Sequence, residues 1–333
     1  MVSKTEGANA TTTTVISGEN ASTVTVARGD KVTILSPASI INPDYVAGAV
    51  ATLEAWGLRP EVMPHTLGKS GSFSGSAAER LADFAAALRD PDVKLILCSR
   101  GGYGCVHLLP ELDGILAEPE VAAHPKWLVG FSDVTALHAL WGKHGWPSVH
   151  ASMAKQLTLG GPDDPLNRRL LSILGGTLGD VALPTGFSGS VYGRDSRLGR
   201  GTGRVVGGNA AVFGGLIGTP YSQIAPGTIL VLEDVAEPIY KIERILWQLR
   251  LAGVLDRLAG LVVGQFTEYR HPSADHEDMY QMISRVLGPE CPFPVAMDVP
   301  VGHIDGNIPI PMGFEATLEV DGSGATLHYN LPK

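Results

Sequence analysis

The sequence predicts an α/β fold in two domains, a first domain with a parallel sheet covered by helices followed by a mixed, partly antiparallel α/β domain. Three observations carry this reading. Apolar runs of strand length alternate with amphipathic, helix-like segments from Lys31 to about residue 155, the pattern of a parallel sheet covered by helices. A polar, Gly-rich passage breaks the alternation from Leu159 onward, where a linker and the entry to a second unit are expected. The chain then closes on ATLEVDGSGATLHY, a hairpin signal turning around Asp321-Gly322. With 333 residues, two cores are the natural division of the chain.

Taken in order, residues 1–30 are rich in Thr, Ser, Ala and Asn and lack the basic start and apolar stretch of a secretory signal, so a flexible tail is expected. Between residues 31 and 155, KVTILSPAS, PEVMPH, VKLILCSRGG, KWLVGF and PSVHAS read as strands, being short apolar runs bounded by Gly or Pro. PDYVAGAVATLEAWG, AAERLADFAAALRD, GCVHLLPELDGILAEP and DVTALHALWGKHG read as the helices between them. Residues 156–195 are expected to hold the linker and a variable passage. Residues 196–333 form the second domain, with TILVLEDV and GLVVGQF as strands and EPIYKIERILWQLRLAG and HEDMYQMISRVLG as helices. No internal repeat is present.

Composition narrows the class. The chain is 44% hydrophobic and 18% charged without an apolar run long enough for a bilayer, which predicts a soluble globular protein with no membrane partner. A net charge of −9 without a Lys/Arg cluster argues against a nucleic-acid partner. Cys98, Cys105 and Cys291 are odd in number and lack metal-ligand spacing, which suits a reducing compartment and predicts a cytoplasmic location.

Two phosphate signatures fail on spacing. Gly68-Lys69-Ser70 resembles the end of a P-loop, but the loop's first glycine falls at Met63; Gly102-Tyr103-Gly104 follows a strand, but the third glycine of a dinucleotide fingerprint is replaced by His107. His271, His276, Glu277 and Asp278 carry ligand types for zinc or iron, yet two histidines five apart do not share a helix face, and HPSADHED reads as a loop and an acidic helix start. No metal and no cofactor is therefore expected. Ser132 is more specific: it stands between a strand and a helix, either as an N-cap or as a nucleophile. Glu233 at a strand end and His303 after the Pro300-Val301-Gly302 turn add an orienting carboxylate and a base, in the chain order Ser, acid, His. A serine hydroxyl needs such a base at neutral pH, and the base needs a partner that fixes its tautomer. Val134 occupies the second glycine position of G-x-S-x-G, so the turn is not an ordinary α/β-hydrolase elbow.

These residues resemble the serine LD-carboxypeptidases, or muramoyltetrapeptide carboxypeptidases, with their microcin C immunity relatives. The resemblance runs through Ser99-Arg100-Gly101-Gly102-Tyr103-Gly104, Gly130-Phe131-Ser132-Asp133-Val134-Thr135, Gly207-Gly208-Asn209 and Gly218-Thr219-Pro220. It continues in Leu232-Glu233-Asp234-Val235, Glu237-Pro238, Gly302-His303 and Pro311-Met312-Gly313, and so covers nearly everything after the tail. It implies a Rossmann-like first domain carrying Ser132 as nucleophile, a second domain carrying Glu233 and His303 as acid and base, and an active site between the two. It also implies a homodimer and hydrolysis of the L-D amide that releases D-alanine from cell-wall tetrapeptides, or, in the immunity-type alternative, cleavage of an aminoacyl-nucleotide or related conjugate. Oxyanion donors are expected from the backbone N–H groups of Asp133 and Gly102. Arg100, Arg194 and Arg270 are the cations considered for a terminal carboxylate, and Phe187 and Tyr192 the rings considered for stacking a nucleobase.

Overall fold

The computed structural model describes residues 24–187, 196–222, 224–269 and 277–329. Strands β1 (Lys31–Leu35), β2 (Arg59–Val62), β3 (Val93–Cys98), β4 (Trp127–Gly130) and β5 (Ser148–His150) pair in parallel in the spatial order β5-β4-β3-β1-β2. Every residue of β4 and β5 is buried, as expected of a central strand covered on both faces. Helices Pro43–Ala55, Ala77–Arg89, Leu109–Leu116 and Thr135–Lys143 supply the cover, each beginning where a Pro, a Ser cap or a tight turn fixes the entry. Ser76, for instance, closes a capping box with Glu79. GCVHLLPELDGILAEP divides in two, because Pro110 starts a new helix at Leu109 behind a short 3-10 turn, Cys105–Leu108.

The second sheet contains β6 (Asp180–Leu183), β7 (Gly199–Asn209), β8 (Ile229–Val235), β9 (Gly260–Thr267) and β10 (Val295–Ala296). After β11 (Ile310–Met312) come β12 (Glu315–Asp321) and β13 (Gly324–Tyr329), the predicted hairpin, which complete it. Its order is β10-β9-β8-β7-β12-β13-β6, parallel from β10 to β7 and antiparallel from β7 to β6. The chain between β5 and β7 holds helices Ala154–Gly160 and Pro165–Leu174 as well as β6, the far edge of the second sheet. β11 returns to the first sheet and pairs antiparallel with β5, Ile310 facing His150, so that sheet is mostly rather than wholly parallel. Pro311 is tolerated there because β11 is an edge strand.

A continuous apolar core joins the two sheets, running from Val32, Ile34 and Val129 to Val231, Leu318 and Leu327. An interface of that kind fixes the two domains against each other, which a site divided between them requires. In the first sheet the order reverses direction between β1 and β3, and ligands of open α/β sheets bind at the carboxyl ends of strands beside such a switch. The chain leaves β1 toward Ser39, β3 toward Gly101 and β4 toward Ser132, all at that end.

Candidate active site

Ser132 has φ 66°, a left-handed backbone that costs a non-glycine residue roughly 1–3 kcal/mol and persists only where the surroundings impose it. The imposing contacts are local. A Cβ on Gly130 would lie 2.9 Å from a Val134 methyl, so the valine in the second glycine position of the turn is packed against the first. A Cβ on Gly101 would stand 2.8 Å from Ser132 Cβ and 3.0 Å from its Oγ, so the loop after β3 closes directly on the serine. Asp133 ties the two turns together, its Oδ2 accepting the Cys105 N–H at 2.8 Å. Ser132 then opens a 3-10 turn, Ser132–Val134, ahead of the helix and makes no side-chain capping bond. Its hydroxyl is left to the cleft.

Glu233, fully buried near the end of β8, accepts a hydrogen bond from His303 Nδ1 at 2.8 Å on Oε2. Gly302 makes this approach possible: its φ is 130°, and a Cβ there would fall 2.8 Å from Glu233 Oε2. The loop is pinned by buried Asn307, whose Oδ1 accepts the Gly302 N–H at 2.9 Å. Next to Glu233, Asp234 accepts from Asn209 Nδ2 and from the Ala211 and Val235 N–H groups, bracing the end of β8. Burial pushes Asp234 up to about 6. Burial acts to raise Glu233 too, but the neighbouring His150 ring and the hydrogen bond and charge of His303 outweigh it, and its pKa falls below the ordinary value. For His303, burial favours the neutral ring, yet its bond to Glu233 and the charges of Glu233, Asp234 and Glu268 prevail and the pKa rises. With Nδ1–H on the carboxylate, Nε2 is the nitrogen free to accept a proton.

Ser132 and His303 line one cleft of about 530 Å³, together with Phe131, Gly101 and Gly102. The Phe131 and His303 rings lie 5.0 Å apart, centroid to centroid, across the junction of the two domains. Gly102 has φ 115° and packs on Ser39. Arg100 lines the cleft while donating to the Ile40 carbonyl at 2.8 Å. Lys155, which the sequence reading passed over, lines it too, beside Asn42, Tyr45 and Gln156. Arg194, Arg270, Tyr192, His271 and His276 lie outside the described residues. Phe187 is half-exposed, its N–H bonded to the Asp298 carbonyl. Asp278 N-caps the helix Met279–Leu287 and Glu277 pairs with Arg285, as an acidic helix start should. Among the described residues no group of three or more His, Cys, Asp or Glu is arranged to hold a metal ion.

Residues 32–151 match the N-terminal domain of the LD-carboxypeptidases and residues 202–318 their C-terminal domain. The chain belongs to the LD-carboxypeptidase family and is a serine carboxypeptidase. Its relatives include the murein tetrapeptide carboxypeptidase of Pseudomonas aeruginosa, 33% identical over 304 residues that cover 87% of this chain and 93% of that one. The solved muramoyltetrapeptide carboxypeptidase of Oxalobacter formigenes superposes with a TM-score of 0.77 at 26% identity, over 91% of this chain and 100% of that one. The microcin C7 self-immunity protein of Escherichia coli is 25% identical over 278 residues, 76% of this chain and 79% of that one.

Proposed function

We propose that this serine carboxypeptidase cleaves the L-D amide of peptidoglycan tetrapeptides and releases D-alanine, with Ser132 as nucleophile, His303 as general base and Glu233 as its orienter. The observation that carries the assignment of roles is the left-handed serine facing the same cleft as a histidine bonded to a buried glutamate. Ser132 Oγ attacks the carbonyl on the L side of the amide while His303 Nε2 takes its proton. The Asp133 and Gly102 N–H groups receive the developing oxyanion. His303 then gives the proton to the departing amino group, D-alanine leaves, and water activated by the same imidazole releases the peptide from the serine. Arg100 and Lys155 are the cations of the cleft suited to the terminal carboxylate.

The domain division at residues 31–155 and 196–333, with 156–195 between them, belongs to this reading: the first domain carries the nucleophile, the second the acid and base. So does a homodimer, the commonest closed assembly. Buried Cys98 and Cys105 are free thiols, and that cysteine usage supports a cytoplasmic location. Among the described residues no helix is long and apolar enough to cross a membrane.

Three substrates assayed in parallel test the substrate assignment: the tetrapeptide ending in D-alanine, the same peptide ending in L-alanine, and an aminoacyl sulfamoyl adenosine. The D-terminated peptide is expected to show the highest kcat/KM, because a site shaped for an L-D junction loses transition-state positioning on its epimer. Preference for the nucleotide conjugate favours the immunity-type reaction, and indifference to configuration removes the L-D assignment.

A further inference from the structure

We propose that His150 is a positioning residue for this reaction, its Nε2–H held toward the Glu233 oxygen that His303 leaves free, so that the first sheet itself fixes the acid of the second domain. The inference rests on the triad reading above.

His150 ends β5, with Gly130 on one side and Ile310 on the other, and is completely buried. A strand-end position of that kind is ordinarily filled by Val, Ile or Leu. Among the described residues neither ring nitrogen has a hydrogen-bond partner, and Glu233 Oε1 has none either. A lone buried polar group of this kind costs roughly 1–3 kcal/mol, so one such side chain calls for a reason and two that face each other supply it. Nε2 lies 3.6 Å from Oε1, a few tenths of an ångström beyond a hydrogen bond. Catalytic hydrogen bonds are often long in free enzymes and shorten with substrate bound.

The neighbours leave His150 one direction in which to act. Phe131, the residue before the serine, has its ring 5.6 Å from the His150 ring and 5.0 Å from the His303 ring. The His138 ring lies 6.4 Å away, centroid to centroid, too far for a hydrogen bond between the two imidazoles, and its Nε2 is engaged with the Gly130 carbonyl at 3.0 Å. Glu233 thus stands between two imidazoles from opposite domains, one on each carboxylate oxygen. Serine and His150 share the first sheet, whereas acid and base share the second domain. A bond between His150 and Glu233 therefore sets the distance from nucleophile to base.

The test compares two substitutions of similar length. His150→Gln keeps an N–H donor near the position of Nε2, and His150→Met keeps none. The Met variant is expected to stay folded with a Tm lowered by at most a few degrees, because Glu233 Oε1 loses its donor while the apolar side chain fills the core, and kcat for D-alanine release falls about 10- to 100-fold, the span of a hydrogen bond to a charged group, with little change in KM. The Gln variant should retain kcat within about threefold of the wild type, since it preserves the donor. A Met variant with wild-type kcat, or a Gln variant as impaired as Met, overturns the proposal. NMR of the wild-type enzyme with 15N-labelled histidine decides the matter without any variant: a proton on His150 Nε2 supports it, and a bare Nε2 overturns it. Ser132→Ala and His303→Ala in the same assay separate the two levels. If both are inactive and the Met variant is not impaired, this inference alone falls; if either stays fully active, the triad reading falls and this inference with it.

Discussion

Adding one methyl group at Gly101 should disable the enzyme without unfolding it. Gly101 lies outside the left-handed region, so an alanine backbone is tolerated there, and the cost arises entirely from the new Cβ. That atom would stand 2.8 Å from Ser132 Cβ, 3.0 Å from Oγ and 3.1 Å from the Phe131 carbonyl oxygen. Ordinary contact begins near 3.4 Å, so the serine or the loop after β3 must retreat by about 0.6 Å. A misplacement of about 1 Å at a reacting atom costs about 100-fold, which puts the loss in kcat/KM between about 10- and 100-fold. Overpacking of this kind costs roughly 1–3 kcal/mol of stability, a fall of a few degrees in Tm. The assay is steady-state release of D-alanine from the tetrapeptide, with thermal unfolding measured on the same preparation. Gly114→Ala is the matched control: it lies in the helix Leu109–Leu116, its Cβ would meet nothing within 4 Å, and it should raise stability by roughly 0.5–1 kcal/mol at unchanged activity. A folded Gly101→Ala enzyme within about threefold of wild-type kcat/KM would refute the contact argument.

The left-handed backbone at Ser132 makes Ser132→Gly a test of stored strain: the variant should be inactive yet more stable by about 1 kcal/mol, or about 2 °C in Tm, and a lower Tm would mean that no strain is relieved. Because Glu233 raises His303 above its ordinary value of 6.5, the base loses its proton only above that pH, and kcat/KM should climb through a limb lying above 6.5. The sign for stability is the reverse: the charged His303–Glu233 contact contributes fully below 6.5 and fades as pH rises through the raised pKa, so a rate limb at or below 6.5 contradicts the pairing. Activity should survive exhaustive treatment with EDTA, since the proposed mechanism uses only side chains and backbone donors; loss on chelation that one metal restores would point to a metal-dependent step instead.

Much of this architecture was legible because its signals are local. The apolar runs VKLILC and KWLVG and the hairpin after Glu315 state their period and their turns within a few residues, and strands β3, β4, β12 and β13 follow them. Ser132, Glu233 and His303 stood out for similar reasons, each at or near the end of a strand or turn. What escaped is tertiary. Nothing in Ile310-Pro311-Met312 says that it joins a sheet formed by residues before 151, because edge pairing is decided by the packing of the whole chain. Gly101 reads as turn chemistry in the sequence, and only the fold brings it against Ser132. His150 sits in the strand-like PSVHAS, where a histidine gives no sign of the carboxylate that arrives from a strand more than eighty residues later. Lys155, behind that strand, carried no spacing signal at all, since its relevance depends on where the cleft opens.

If Ser132 is the nucleophile that frees D-alanine from an L-D amide, D-alanine release by wild-type enzyme and by Ser132→Ala at equal concentration, with Tm confirming that both are folded, separates the two. Removing the hydroxyl takes away the attacking atom while leaving the backbone donors in place, so the rate should fall by at least about 10,000-fold. A folded Ser132→Ala enzyme that releases D-alanine at a rate near the wild type would contradict the account.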